Sequence, residues 1–173
     1  MKVHMNVYDF AIKMELDGRG FYEGLARETR HAGLRGIFLQ LAADEQKHQD
    51  IFQTLKKEAR PETMKASTAL EQAKSVFADL LAKKETFAPA GDLDSYRHAM
   101  KLEADSFRLY EGAAKKEQDK GIRELLLLIA GEEHRHYDIL RNIYDFANAP
   151  SQYLAWSEFS NLEEFRQFGR DVD

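Results

Sequence analysis

Two short runs of the sequence place the same side chains at the same spacing: Glu45-Gln46-Lys47-His48 and Glu133-His134-Arg135-His136. On a helix, positions three apart share a face, so each Glu and its His point the same way. Thirty residues before each run stands a further glutamate, Glu15 and Glu103. Carboxylate and imidazole together suit iron or manganese, with zinc possible. Four carboxylates gathered inside a fold need counter-charge, and no Lys or Arg is placed to supply it. Two divalent cations would balance four carboxylates with both imidazoles neutral, and six ligands leave coordination positions open for oxygen species. A lone Glu-x-x-His is weak evidence, because solvated helix faces carry many. Two copies, each with its upstream glutamate at one fixed offset, are far more specific.

The offset belongs to the whole chain. Shifted by 88 residues, Ala11, Lys13, Glu15 and Asp17 fall on Ala99, Lys101, Glu103 and Asp105. Tyr22-Glu23-Gly24 falls on Tyr110-Glu111-Gly112, Gly33 and Arg35 on Gly121 and Arg123, and Asp50-Ile51 on Asp138-Ile139. Roughly a third of positions 11–55 are identical, against about one in fifteen by chance. The repeat predicts two copies of a helical hairpin.

The elements that must position these residues can be drawn from the same pattern. The first helix is expected from about Asn6, an N-cap residue, to about His31, with Gly33 as its stop. The second runs from about Leu34 until Pro61. In the other copy Asp92 or Asp94 caps the third helix, Gly121 marks the turn, and the last helix ends before Pro150. Glu45 and His48 share a stripe with Leu41, Phe52 and Leu55, and Glu133 and His136 with Ile129, Leu140 and Ile143. Glu15 lies among Ala11, Ile12, Leu16 and Tyr22, and Glu103 among Ala99, Met100 and Tyr110. Such apolar stripes face a core. The halves, residues 6–60 and 92–148, are joined by a long crossover, residues 61–91. Within it Leu70, Ala73, Phe77, Leu80 and Leu81 fall at helical spacing. The expected fold class is all-α: a bundle over residues 1–149, with a short helical tail over residues 150–173. The tail's Tyr153, Trp156, Phe159, Phe165 and Phe168 read as a cap or subunit contact, and alternatively as a docking surface for an electron donor.

Composition narrows the function classes. The net charge of −5 leaves nothing to neutralise a row of phosphates, so nucleic acid is not an expected partner. The absence of cysteine removes disulfides, thiolate metal sites and iron–sulfur clusters. No apolar run approaches the length of a membrane span and no signal peptide is visible, so a cytoplasmic location is expected.

The pattern resembles the rubrerythrin branch of the ferritin-like di-iron carboxylate superfamily over residues 6–148. Two hairpins with one long crossover is the connectivity of ferritin-like four-helix bundles, which carry a Glu on each of two helices and Glu-x-x-His on each of the others. The resemblance implies two iron ions. It makes Glu45 and Glu133 bridging ligands, Glu15 and Glu103 terminal or second bridging ligands, and gives His48 and His136 one iron each. It further implies reduction of hydrogen peroxide or dioxygen. Two departures stand out. Rubrerythrins typically carry a four-cysteine rubredoxin domain; here electrons must come from a separate rubredoxin-like protein or flavoprotein reductase. They also tend to carry an extra Glu one turn after the third-helix ligand; here that position is Ser106, with Gly18 as its repeat mate. These small residues are expected to leave room beside the metals. The alternatives are an iron-oxidising protein for storage or delivery and, more remotely, a metal-free helical interaction module. A homodimer is expected from the general frequency of symmetric pairs.

Around the ligands, Asp44 and Glu132 precede the two glutamates of the repeated motif. A metal-bound His usually donates its other N–H to a carboxylate or carbonyl, so Asp44 is expected to orient His136 and Glu132 to orient His48. Tyr22 and Tyr110 lie two turns beyond Glu15 and Glu103, and a buried Tyr hydroxyl seeks a partner such as a ligand carboxylate. His4, His31, His98 and His134 have no repeat partner and are expected at the surface or its boundary. Glu23 and Glu111 recur without an evident task.

Overall fold

A computed structural model describes residues 7–57, 67–69, 75, 91 and 93–148. Four helices dominate: α1 (Val7–Glu28), α2 (Ala32–Lys56), α3 (Leu93–Lys116) and α4 (Lys120–Asn148). No strand occurs among the described residues, and no described helix is long and apolar enough to cross a membrane. α1 packs along α2 and α3 along α4 as two hairpins, with α1 also meeting α3. This is a ferritin-like four-helix bundle. Asn6, Asp92, Pro150, the apolar positions Leu70, Ala73, Phe77, Leu80 and Leu81 of the crossover, and the aromatic tail lie outside the described residues.

The two turns are built alike, and not from their glycines. Gly33 and Gly121 lie inside the first turns of α2 and α4 rather than ending α1 and α3. Each helix begins earlier because a side chain caps it. His31 Nδ1 accepts from the Leu34 N–H at 3.3 Å, and Asp119 Oδ1 from the Ile122 N–H at 3.0 Å. His31 and Asp119 are repeat equivalents, as are Leu34 and Ile122, so one capping geometry serves both copies with different acceptors. The repeated arginines close the preceding helix. Arg35 donates to the carbonyls of Ala26 and Thr29, and Arg123 to those of Glu117 and Gln118. α2 ends at Lys56, a full turn before Pro61, where the Lys57 N–H bonds the Thr54 carbonyl. Ahead of α3, Gly91 takes φ +71°, a conformation that only glycine adopts without strain. Asp94 lies within the first turn of α3.

The core comes in two apolar layers. One gathers Tyr22, Leu34, Phe38, Leu41, Tyr96, Ile139, Ile143 and Phe146; the other Phe52, Leu55, Tyr110, Leu125, Leu126 and Ile129. Burying each large side chain is worth about 1.5–3 kcal/mol, enough together to carry an unfavourable polar layer between them. That layer contains the repeated Glu and His residues. Leu16 does not join the stripe expected for it: one residue beyond Glu15, it is 44% exposed, because successive helical positions diverge by about 100°.

Candidate metal centre

Each helix contributes its ligand-type residues from its inward face near mid-length: Glu15 from α1, Glu45 and His48 from α2, Glu103 from α3, Glu133 and His136 from α4. None is more than 6% exposed. Their donor atoms fall into two groups, Glu15–Glu45–His48–Glu133 and Glu45–Glu103–Glu133–His136, each with all four atoms within 4.8 Å of one another. Metal–ligand bonds near 2 Å hold two ligand atoms no more than about 4 Å apart, so each group is close to the size of one coordination sphere. Glu45 and Glu133 belong to both. The i, i+3 spacing thus places each His beside a glutamate of its own helix, and the upstream glutamates separate one to each side.

Both imidazoles turn the same nitrogen inward. His48 Nδ1 lies 2.9 Å from Glu133 Oε1, 3.4 Å from Glu15 Oε2 and 3.6 Å from Glu45 Oε2. His136 Nδ1 lies 3.0 Å from Glu45 Oε1 and 3.8 Å from both Glu103 Oε2 and Glu133 Oε2. The rings stack with centroids 5.9 Å apart. Their outward Nε2 atoms meet the acidic neighbours across the bundle. His48 Nε2 is 2.9 Å from Glu132 Oε2, and His136 Nε2 is 3.6 Å from Asp44 Oδ2. Both acids are fully buried. The tyrosines cross over rather than serving the glutamate of their own helix: Tyr22 donates to Glu103 and Tyr110 to Glu15.

The electrostatics are those of an anion cluster awaiting counter-charge. Burial, followed by the charge of Glu45, pushes the carboxyls of Glu15, Glu103 and Glu133 above the usual range. Burial alone would raise Glu45 too, but its contacts with Glu15, His136 and His48 outweigh this and hold it low. Burial would lower both imidazoles; the carboxylates facing them instead raise both. Asp44 is held at about 2, since His136, Lys47 and Ser67 together outweigh its burial. Burial, followed by neighbouring carboxylates, also pushes Tyr22 and Tyr110 upward, so both remain hydrogen-bond donors. Protons occupy places that cations could take. His48 Nδ1 and Glu133 Oε1, at 2.9 Å, form no well-aligned hydrogen bond with each other or any other group. Two inward donor atoms without partners in a dry layer, and a donor set of four carboxylates and two imidazoles, fit a pair of divalent cations.

The remaining polar residues sort themselves. Gly18 lets Glu45 lie close to α1: a Cβ there would stand 3.4 Å from Glu45 Cδ. The space expected beside this glycine is therefore used by the glutamate itself. Ser106 is buried. His134 pairs with Asp138 at 3.6 Å and packs edge-on to Phe107, outside both ligand groups. Glu23 and Glu111 form i, i+4 pairs with Arg19 and Lys115. Ser67, of the crossover, was not singled out by the sequence, yet it contacts both outer acids. Its hydroxyl donates to Asp44 Oδ2 and its N–H to Glu132 Oε1 at 2.5 Å. The available signal was local: Ser67 Oγ accepts from the Ala69 N–H, as a capping serine does. A cavity of about 560 Å³ is lined by Tyr8, Phe52, Tyr110 and Leu126, with Arg108 and Glu117 also in its wall.

No curated protein and no solved structure gives a significant match to the sequence. A family model does. With the rubrerythrin model matching residues 6–144, which contain α1, α2, α3, most of α4 and every ligand-type residue described above, the chain belongs to the rubrerythrin family.

Proposed function

We propose that the chain is a non-haem di-iron oxidoreductase that reduces hydrogen peroxide, or dioxygen, to water with electrons from a separate donor. The observation that carries the reading is the pair of four-residue donor groups sharing Glu45 and Glu133. In this reading Glu15 and His48 would hold one metal and Glu103 and His136 the other, with Glu45 and Glu133 available to both. Bound iron would supply the electrons and polarise the oxidant. The chain's own residues do the rest. Two apolar layers keep bulk water from the centre. Tyr22 and Tyr110 hold the terminal carboxylates, and Glu132 bonds the outward nitrogen of His48, which sets the tautomer that presents its Nδ1 to the metal, while Asp44 faces the outward nitrogen of His136 at 3.6 Å. Peroxide reduction takes two electrons and two protons per molecule and yields two waters. With no cysteine in the chain for a thiolate relay, a rubredoxin-like protein or flavoprotein reductase is the fitting class of donor.

The test is iron loading under anaerobic conditions, followed by peroxide addition with and without a reductant. The expected result is about two irons per chain and repeated peroxide consumption sustained by the reductant. Iron oxidised and retained far beyond that ratio, without reductant-driven turnover, would refute it in favour of iron handling.

A further inference from the structure

Five pairs of residues around the centre are related by the 88-residue repeat; Ser67 has no counterpart and touches both sides. Its two bonds are of different kinds. The backbone N–H goes to Glu132 Oε1, while Glu132 Oε2 already holds His48 at 2.9 Å. The hydroxyl goes to Asp44 Oδ2, the oxygen that faces His136 Nε2 at 3.6 Å. An ionised carboxylate only accepts, so the hydroxyl must donate. Its own oxygen accepts from the Ala69 N–H at 3.1 Å, which fixes the direction of the O–H.

At 3.6 Å the imidazole does not itself anchor Asp44. The carboxylate's other donors, Lys47 Nζ at 2.8 Å and Gln40 Nε2 at 3.2 Å, both bind Oδ1 and both come from α2. Without the Ser67 hydroxyl, nothing among the described residues donates to the Oδ2 that faces His136. Glu132 suffers no such dependence, since a side-chain substitution leaves the Ser67 N–H in place.

We propose that Ser67 is a positioning residue that aims Asp44 at His136, and so sets the metal affinity of the His136 half of the centre separately from that of the His48 half. This rests on the di-metal reading above. Losing an outer partner of a ligating His typically lowers metal affinity tenfold to a hundredfold.

The test is an anaerobic cobalt(II) titration of the parent chain, Ser67→Ala and Ser67→Thr, followed by the visible absorption of the bound ion, with helical content checked by circular dichroism. The expected result is two binding steps in the parent. In Ser67→Ala one step should weaken by about 10–100-fold while the other is unchanged, and Ser67→Thr should restore both. Adding Ser67→Ala to Glu15→Gln, which leaves the His136 half complete, should weaken the remaining step; adding it to Glu103→Gln should not. Both steps unchanged, both weakened equally, either one tightened, or no rescue by threonine would overturn the proposal while leaving the di-metal reading standing. A folded parent that binds no cobalt would overturn both.

Discussion

Replacing Glu15 by glutamine should change stability in opposite directions with and without metal. Glu15 is 2% exposed, and its carboxyl is driven upward first by burial, then by the charge of Glu45. In the metal-free chain, glutamine keeps the shape and an acceptor for Tyr110 but removes an ionisation that the fold suppresses. Each pH unit over which the fold keeps this carboxyl protonated beyond its unfolded range costs about 1.4 kcal/mol, which glutamine does not incur, and each kcal/mol moves the melting temperature of a chain this size by about 2–4 °C. With metal the sign reverses. One site loaded at a hundred times its Kd adds about 2.7 kcal/mol. A unit charge about 4 Å away in an effective dielectric near 20 contributes about 4 kcal/mol, roughly a thousandfold in affinity. Glu15→Gln should therefore forfeit the stabilisation of one half. Thermal melts in chelator and in saturating metal, run side by side, read both signs. The pH dependence follows from the same groups. Glu15, Glu103 and Glu133 titrate above 4.5 in the folded chain, and His48 and His136 above 6.5. For the three carboxyls, the unfolded chain gives up its protons first, so a penalty grows as pH rises from about 4.5 towards the folded values. The imidazoles stabilise fully below about 6.5 and lose that contribution as pH rises through theirs. Glu45, held low, acts the other way, its stabilisation lost only in acid. The metal-free parent should thus melt lower near pH 8 than near pH 6, and Glu15→Gln should flatten that slope. A variant less stable than its parent in chelator, with an undiminished metal-induced shift, would show a self-satisfied ion network and refute the reasoning.

Three further outcomes follow from where single groups sit. Glu45→Ala should abolish both cobalt-binding steps because Glu45 belongs to both donor groups, whereas Glu103→Ala should leave one, as read by elemental analysis of each folded variant. Tyr110→Phe removes the hydroxyl that donates to Glu15; a bond to a charged group is worth about 1.5–3 kcal/mol, so the His48 half should weaken by roughly 10–100-fold in a stepwise titration, with the other half unmoved. Arg123→Ala frees the carbonyls of Glu117 and Gln118 and should cost about 1 kcal/mol in urea denaturation without changing metal stoichiometry.

What could be read from the sequence divides along the line between duplicated and unique residues. The 88-residue repeat located the hairpins and drew together the six ligand-type residues, because inward-facing helical positions keep their spacing through duplication. It also points to Asp44 and Glu132, whose carboxylates lie across the bundle beside the opposite imidazoles. The tyrosines cross in the same way, each reaching the glutamate of the other hairpin. The errors have local causes. Gly33 reads as a stop and Gly121 as a turn because glycine often ends helices, but both lie in the first turn of a helix started by a side-chain cap, His31 in one copy and Asp119 in the other. That substitution of one acceptor for another hid the equivalence. Ser67 escapes the repeat for a deeper reason. A residue lying near a two-fold axis can contact both halves at once, so only one copy of it is needed and no repeat can reveal it. The crossover also adds to the asymmetry of the bundle. Beyond the unlike repeat mates Asp44 and Glu132, the single-copy crossover gives a hydroxyl to one and a backbone N–H to the other, a further chemical difference between the two halves.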